Sequence, residues 1–230
     1  MSEGIPGFYN KRGAKWLEDS EGRDRTEKEL RILARLFSAG SRILDAGCGY
    51  GRIAIPLVQS GFQVDAFDGS QKMLDSMQER MASESLGMNI YQDDLISPEK
   101  ISGEYDGIIL MWGTFANIPK DKQRSALETY SAHVVPGGKI VIELPEIDAQ
   151  EYVPASKRNV EFLSRDENYG VELNVSEDEP NLVFAIPNTH GVQTLAEQTG
   201  LTVLSTNRFN ATVNDIQQPR IIYVLTKQNK

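Results

Sequence analysis

Apolar residues in this chain gather in short clusters whose spacing alternates between the helical period and the strand period. Around 29–37, Leu30, Leu33, Leu36 and Phe37 recur at helical intervals, and Gly40 closes the run. Residues 42–46 read as a first strand, and about 52–60 as a helix in which Pro56 demands a late start or a kink. A second strand spans 62–67, after which Met73, Leu74, Met77 and Met81 mark one face of a helix capped by Ser70. Residues 89–91 form a short strand, and 107–112 a continuous apolar run of the kind buried on both faces. A helix over about 121–134 stops at Pro136-Gly137-Gly138, before a strand at 139–144. Strands alternating with helices predict a doubly wound α/β fold that binds ligands at the carboxyl ends of its strands.

The pattern changes between 145 and 188, where apolar runs at 160–163, 171–175 and 182–186 are separated by acidic and Gly/Pro turns and read as antiparallel strands. A helix near 191–199 and strands at 201–204 and 221–225 follow. The expectation is one domain over 1–230, with a polar N-terminal arm at 1–28 and an insertion at 145–188.

Composition narrows the partners. With 24 basic and 33 acidic side chains the net charge is -9, which opposes binding to a phosphate backbone. The densest basic stretch, around Lys11, Arg12, Lys15, Arg23, Arg25 and Lys28, is interleaved with Glu18, Asp19, Glu21 and Asp24 and reads as a solvated, partly helical surface. No apolar run approaches the roughly 20 residues that span a bilayer, and no signal pattern opens the chain. A cytoplasmic protein is expected, with neither nucleic acid nor membrane as partner. A lone cysteine and two histidines leave no disulfide framework and too few ligands for zinc, so no metal is expected.

The densest chemical signal is Asp45-Ala46-Gly47-Cys48-Gly49-Tyr50-Gly51, directly after the first strand. Three alternate glycines let a ligand lie against bare main chain, and the helix beyond turns free N–H groups toward it. A dinucleotide fingerprint needs its third glycine where Arg52 stands; here that glycine is Gly51. The order Asp-x-Gly-x-Gly-x-Gly resembles the first motif of class I S-adenosylmethionine-dependent methyltransferases. Further stretches are similar to that family's motifs in the same order: Phe67-Asp68-Gly69-Ser70 with Met73-Leu74, Gln92-Asp93-Asp94-Leu95, Tyr105-Asp106-Gly107-Ile108-Ile109, and Val135-Pro136-Gly137-Gly138.

The resemblance covers about 30–144 and, more loosely, 189–226. It implies a Rossmann-like methyltransferase fold, a mostly parallel seven-stranded sheet with helices on both faces, and S-adenosyl-L-methionine as cofactor. Asp68, 21 residues beyond Gly47 at a strand end, is expected to accept both ribose hydroxyls, with Gly69 beside it. The resemblance assigns the adenine amino group to Asp94 and the ring nitrogen to the Leu95 N–H, with Asp93 as the neighbouring register. Met73 and Ile96 would sandwich the ring. The methionyl part would lie along Gly47 and Gly49, with the Met111 carbonyl near its ammonium, and Tyr9 or Trp16 could close over it; Asp45 and Cys48 of the same loop are further cofactor-binding candidates.

Methyl transfer from a sulfonium is an in-line displacement in which positioning can carry most of the rate. The family's Asn/Asp-Pro-Pro-Tyr signature for exocyclic amines is missing; Met111 to Asn117 occupies its place. The expected reaction is N- or O-methylation of a small molecule by a monomer or homodimer, with the insertion as substrate lid. Trp112, Phe115, Asn117 and Glu146 are the acceptor-binding candidates, and His190 and Glu143 the catalytic ones. Glu143, Glu146 and Asp148 would suit a cationic amine. A non-catalytic S-adenosylmethionine-binding module and aminopropyl transfer from a related sulfonium are the competing readings.

Overall fold

The computed structural model describes residues 4–20, 23–148, 159–176, 182–213 and 215–227. Strands β1 (Arg42–Ala46), β2 (Gln63–Asp68), β3 (Asn89–Gln92), β4 (Tyr105–Leu110) and β5 (Val134–Pro145) run parallel, separated by helices α4 (Ala54–Gln59), α5 (Gln71–Ser83) and α6 (Lys120–Ala132). Three helices precede them: α1 (Gly4–Arg12), α2 (Ala14–Ser20) and α3 (Arg23–Leu36). After the insertion, α7 (Thr189–Gln198) leads into β9 (Leu201–Val213) and β10 (Ile216–Lys227). The seven-stranded sheet has the order β3-β2-β1-β4-β5-β10-β9, with β10 antiparallel to both neighbours. The chain winds outward from β1 to β3 and then returns to lay β4 on the other side of β1. This reversal opens a crevice at the carboxyl ends of β1 and β4.

Alternation along the central strands feeds an apolar core on each face. Leu44, Ile108, Ile140 and Ile142 point to the α6/α7 side, whereas Ile43, Ile109, Val141 and Ile222 point to the side covered by α3, α4 and α5. α3 packs so closely that a Cβ on Gly107 would collide with the Phe37 ring. Ser70 caps α5 as its sequence implies, its Oγ accepting from the Met73 N–H at 3.3 Å. α4 starts at Ala54, later than residue 52, which places Pro56 in the first turn where a missing N–H breaks no bond.

The structure departs from the sequence reading in three places. The N-terminal arm folds into α1 and α2; only Gly7 and Phe8 are buried in α1 and none in α2, so no apolar stripe announces them. β9 and β10 are 13 and 12 residues long, far beyond 201–204 and 221–225, because the outer half of β9 is a solvent-facing edge rich in Ser, Thr and Asn. β5 starts at Val134, so the Pro136-Gly137-Gly138 turn lies within its span.

The insertion forms a separate antiparallel sheet, β6 (Asn159–Asp166), β7 (Gly170–Ser176) and β8 (Leu182–Pro187). It is held to the start of α6, where Gln123 Nε2 donates to the Ala185 carbonyl at 2.7 Å and Tyr169 Oη donates to Gln123 Oε1 at 3.0 Å. Parts of the arm and insertion calls, residues 1–3, 21–22, 149–158 and 177–181, lie outside the described residues.

Candidate functional site

The loop leaving β1 is bent by its own main chain: the N–H groups of Gly47 and Cys48 both donate to the Phe67 carbonyl at the end of β2, at 2.8 and 2.9 Å. Gly47 has φ +73°, and a Cβ there would strike the Thr114 methyl. The next turn brings Gly49, φ +56°, beside the second strand, where its N–H donates to Asp68 Oδ2 at 2.9 Å. Asp68 Oδ1 accepts the Ser70 N–H at 2.8 Å. Each carboxylate oxygen keeps a lone pair for a ligand. Burial pushes the Asp68 carboxyl up, and the two N–H bonds work against it. Asp45, at the end of β1, is driven further, to about 7, by burial and the nearby Asp68 charge, against the pull of Arg52 and the Ala54 N–H.

These groups border a cavity at the β1/β4 crevice, the place where open α/β sheets bind their ligands. The cavity brings together Tyr9, Asp45, Gly47, Cys48, Gly49, Asp68, Gly69, Met73, Asp94, Leu95, Ile96, Met111, Trp112 and Asn117 from the sequence reading. It also recruits Ile5, Pro6 and Leu17 from α1 and α2, Tyr50, Arg52 and Ile53 from the glycine loop, and Thr114. The N-terminal helices are pinned over it by Asn10, whose Oδ1 accepts from Ser70 Oγ at 2.8 Å and the Lys72 N–H at 3.2 Å. None of the described residues of β6, β7 or β8 lines it.

Six of the positions singled out lie off the cavity wall. Asp93 turns its carboxylate to the loop behind it, accepting from the N–H groups of Asp94, Glu99 and Lys100. Trp16 packs edge-on against Phe8. Phe115 is sealed in the α6/α7 core with Val171, Leu173 and Ile186 of the insertion and the first strands. Glu146 pairs with Arg208. His190 is exposed in the first turn of α7. Glu143 is wholly buried; burial alone would raise its carboxyl, but Arg220 and Arg25 outweigh it and hold it well below the usual carboxylate range.

Glu143 belongs to a buried ion network that the sequence did not disclose. Arg25, read there as surface, is 0% exposed: its Nε donates to Glu29 Oε1 at 2.9 Å and its Nη2 to Glu143 Oε2 at 2.7 Å. Arg52 bonds the other Glu29 oxygen, and Arg220 Nη2 donates to Glu143 Oε2 at 2.8 Å. The Arg25 and Arg52 guanidiniums lie 4.9 and 5.2 Å from the ring centroid of Trp112, a residue held in the left-handed region at φ +58°. Glu143 Oε2 also accepts the N–H of Gly113 at 2.9 Å, which braces this strained turn. The i,i+4 pair Arg25–Glu29 looks like an ordinary exposed helix pair in sequence; its burial depends on partners more than a hundred residues away.

Residues 43–138 match the family described as "Methyltransferase domain". Human glycine N-methyltransferase is 30% identical over 165 residues, covering 62% of this chain and 55% of that protein. The chain thus spans about half the length of the curated relatives it matches. Among solved structures, the CcbJ methyltransferase from Streptomyces caelestis superimposes with a TM-score of 0.71 at 17% identity, over 99% of this chain and 98% of that one. The glycopeptide N-methyltransferase MtfA, complexed with S-adenosylmethionine, gives a TM-score of 0.65 at 16% identity, over 88% of this chain and 93% of that one.

Proposed function

We propose that this chain, whose residues 43–138 match a methyltransferase domain, is a class I S-adenosylmethionine-dependent methyltransferase that transfers the methyl group of S-adenosyl-L-methionine to a nucleophilic nitrogen or oxygen of a small molecule. The observation that carries this reading is Asp68, half-buried at the end of β2 with both oxygens aligned by backbone N–H groups and free lone pairs toward the cavity. Two ribose hydroxyls match that arrangement. Asp94 and the Leu95 N–H would take the adenine edge, with Met73 and Ile96 on its faces. The methionyl end would follow Gly47 and Gly49 toward Asp45 and the Met111 carbonyl; the open space beside Gly49, where a Cβ would meet nothing within 4 Å, fits this path.

The cofactor, when bound, supplies a methyl already activated by its sulfonium. What the protein must add is alignment, on the order of 7–11 kcal/mol for a near-attack geometry. Tyr9, Pro6 and Leu17 roof the cavity and exclude water from that step. Glu143 cannot serve as a base, being sealed between guanidiniums in its ionised form, and His190 stands on the outer surface. Trp112, Thr114 and Asn117 frame the acceptor side, and the insertion sheet would buttress them through α6. No described helix is long and apolar enough to cross a membrane, and a single buried cysteine suits the reducing cytoplasm; a monomer or homodimer is the assembly expected there.

The test is transfer of label from methyl-labelled S-adenosylmethionine to small amines, carboxylates and phenols. Labelled product with formation of S-adenosylhomocysteine supports the reading. Cofactor binding without turnover on any acceptor would instead favour a binding module.

A further inference from the structure

Residues 93–104 join β3 to β4 outside any regular element, so no ladder or helix fixes the stretch that carries Asp94 and Leu95. Side chains do this instead, and the peptide between Leu95 and Ile96 is gripped at both ends. Its N–H, that of Ile96, donates to Asp94 Oδ1 at 2.6 Å, and the Ser97 N–H joins the same oxygen at 3.0 Å. Its carbonyl, that of Leu95, accepts the hydroxyl of Tyr130 at 2.7 Å, from α6. With Oδ1 taken, Asp94 Oδ2 and the Leu95 N–H are the groups this turn offers to a ligand, and both residues line the cavity.

Tyr130 is wholly buried, and its ring belongs to the core on the α6/α7 side. A phenylalanine ring would fill the same space, whereas a buried hydroxyl costs free energy unless it is bonded; the bond it makes is the one to the Leu95 carbonyl. Burial, reinforced by the charges of Asp94 and Asp93 and by Tyr91, pushes the phenol well above its ordinary range, so it remains a donor across the whole working pH range. Gln123, two turns earlier on α6, ties the start of that helix to the Ala185 carbonyl of the insertion. α6 is thereby held at its start, and it presents the Tyr130 hydroxyl to the loop from a fixed place.

We propose that Tyr130 is a positioning residue for purine selection: its hydroxyl locks the Leu95–Ile96 peptide so that the turn accepts a 6-amino purine edge and refuses a 6-oxo one. This assignment rests on the methyl-transfer reading above, which supplies the adenosyl ligand. A 6-amino purine donates from its amino group and accepts at N1, matching the Asp94 carboxylate and the Leu95 N–H. A 6-oxo purine reverses both: its oxygen would face the carboxylate, and its N1–H would face another N–H. Refusal therefore depends on a turn that cannot rotate to offer a carbonyl in place of the N–H. Tyr130 touches no ligand; it removes that rotation by holding the Leu95 carbonyl on the side away from the cavity.

The experiment is calorimetric titration with S-adenosylhomocysteine and with S-inosylhomocysteine, its 6-oxo counterpart, on the wild-type chain, Tyr130→Phe and Tyr130→Met. Both variants lack the hydroxyl but pack differently, so a change common to the two belongs to the hydroxyl, and either one decides if the other does not fold. The wild-type chain should prefer S-adenosylhomocysteine by about thirtyfold or more. In the variants that preference should shrink about tenfold, through weaker S-adenosylhomocysteine binding, while affinity for S-inosylhomocysteine stays within about threefold of wild type. A merely structural role would weaken both ligands alike and leave their ratio fixed, and that result would overturn the proposal. So would an unchanged preference in the variants, or a wild-type chain that binds the two purines equally. Wild-type protein that binds neither ligand is a different failure, that of the methyl-transfer reading itself.

Discussion

Among single residues, carboxylates with different surroundings define the site. Asp68 is oriented by the Gly49 and Ser70 N–H groups and would be the ribose ligand. Asp68→Ala should weaken S-adenosylhomocysteine binding by about 1.5–3 kcal/mol, the worth of a hydrogen bond to a charged group, with calorimetry as the measure. Unchanged affinity would remove Asp68 from the site. Gly47→Ala forces a side chain into a left-handed turn and against the Thr114 methyl; a loss of about 1–3 kcal/mol in urea unfolding is expected, together with weaker ligand binding. Asp45 carries a pH signature. Its folded pKa, about 7, exceeds the model-peptide value of 3.8, so between these values the native state binds the proton that the unfolded chain has released. Stability from this group is therefore greatest at low pH and falls as pH rises through that window. Thermal melts of ligand-free protein should show the decline, and Asp45→Asn should lose that component; identical slopes in both proteins would count against it.

At the scale of elements, the N-terminal helices and the ion network shape the cavity without contributing motif residues. Asn10 ties α1 to the start of α5. Asn10→Ala should speed release of S-adenosylhomocysteine several-fold in stopped-flow while leaving the unfolding midpoint nearly fixed, and an unchanged off-rate would show that the roof needs no such tie. Glu143→Gln strands Arg25 and Arg220 beside a neutral amide, which should cost about 3–5 kcal/mol in denaturant unfolding. Because Glu143 is held below its ordinary range, its stabilisation is present at neutral pH and is lost on acidification. The glycine loop and Asp68 were legible in sequence because backbone conformation and a strand-end position are local properties. The network was not: Arg25 and Glu143 lie on α3 and β5, and nothing in either neighbourhood marks them as partners. α1 and α2 were legible only as a partly helical surface, since no apolar stripe marks them and their few cavity-lining residues, Ile5, Pro6, Tyr9 and Leu17, face a space formed by other elements. β9 escaped because an edge strand facing water reads as a polar loop.

At the scale of the molecule, the sheet order makes the site. Reversal of the winding between β1 and β4 sets the glycine loop, Asp68 and the Trp112 turn around one crevice, and the mixed β5-β10-β9 edge carries Arg220 up to Glu143 behind it. A ligand filling that crevice should tie both halves together, so S-adenosylhomocysteine at a hundred times its Kd should add about 2.7 kcal/mol to unfolding stability. Calorimetric titration of the wild-type chain with S-adenosylhomocysteine, run beside NAD, decides which nucleotide the crevice holds. Saturable one-site binding of S-adenosylhomocysteine and none of NAD is expected. Tight binding of NAD with no heat from S-adenosylhomocysteine would contradict it.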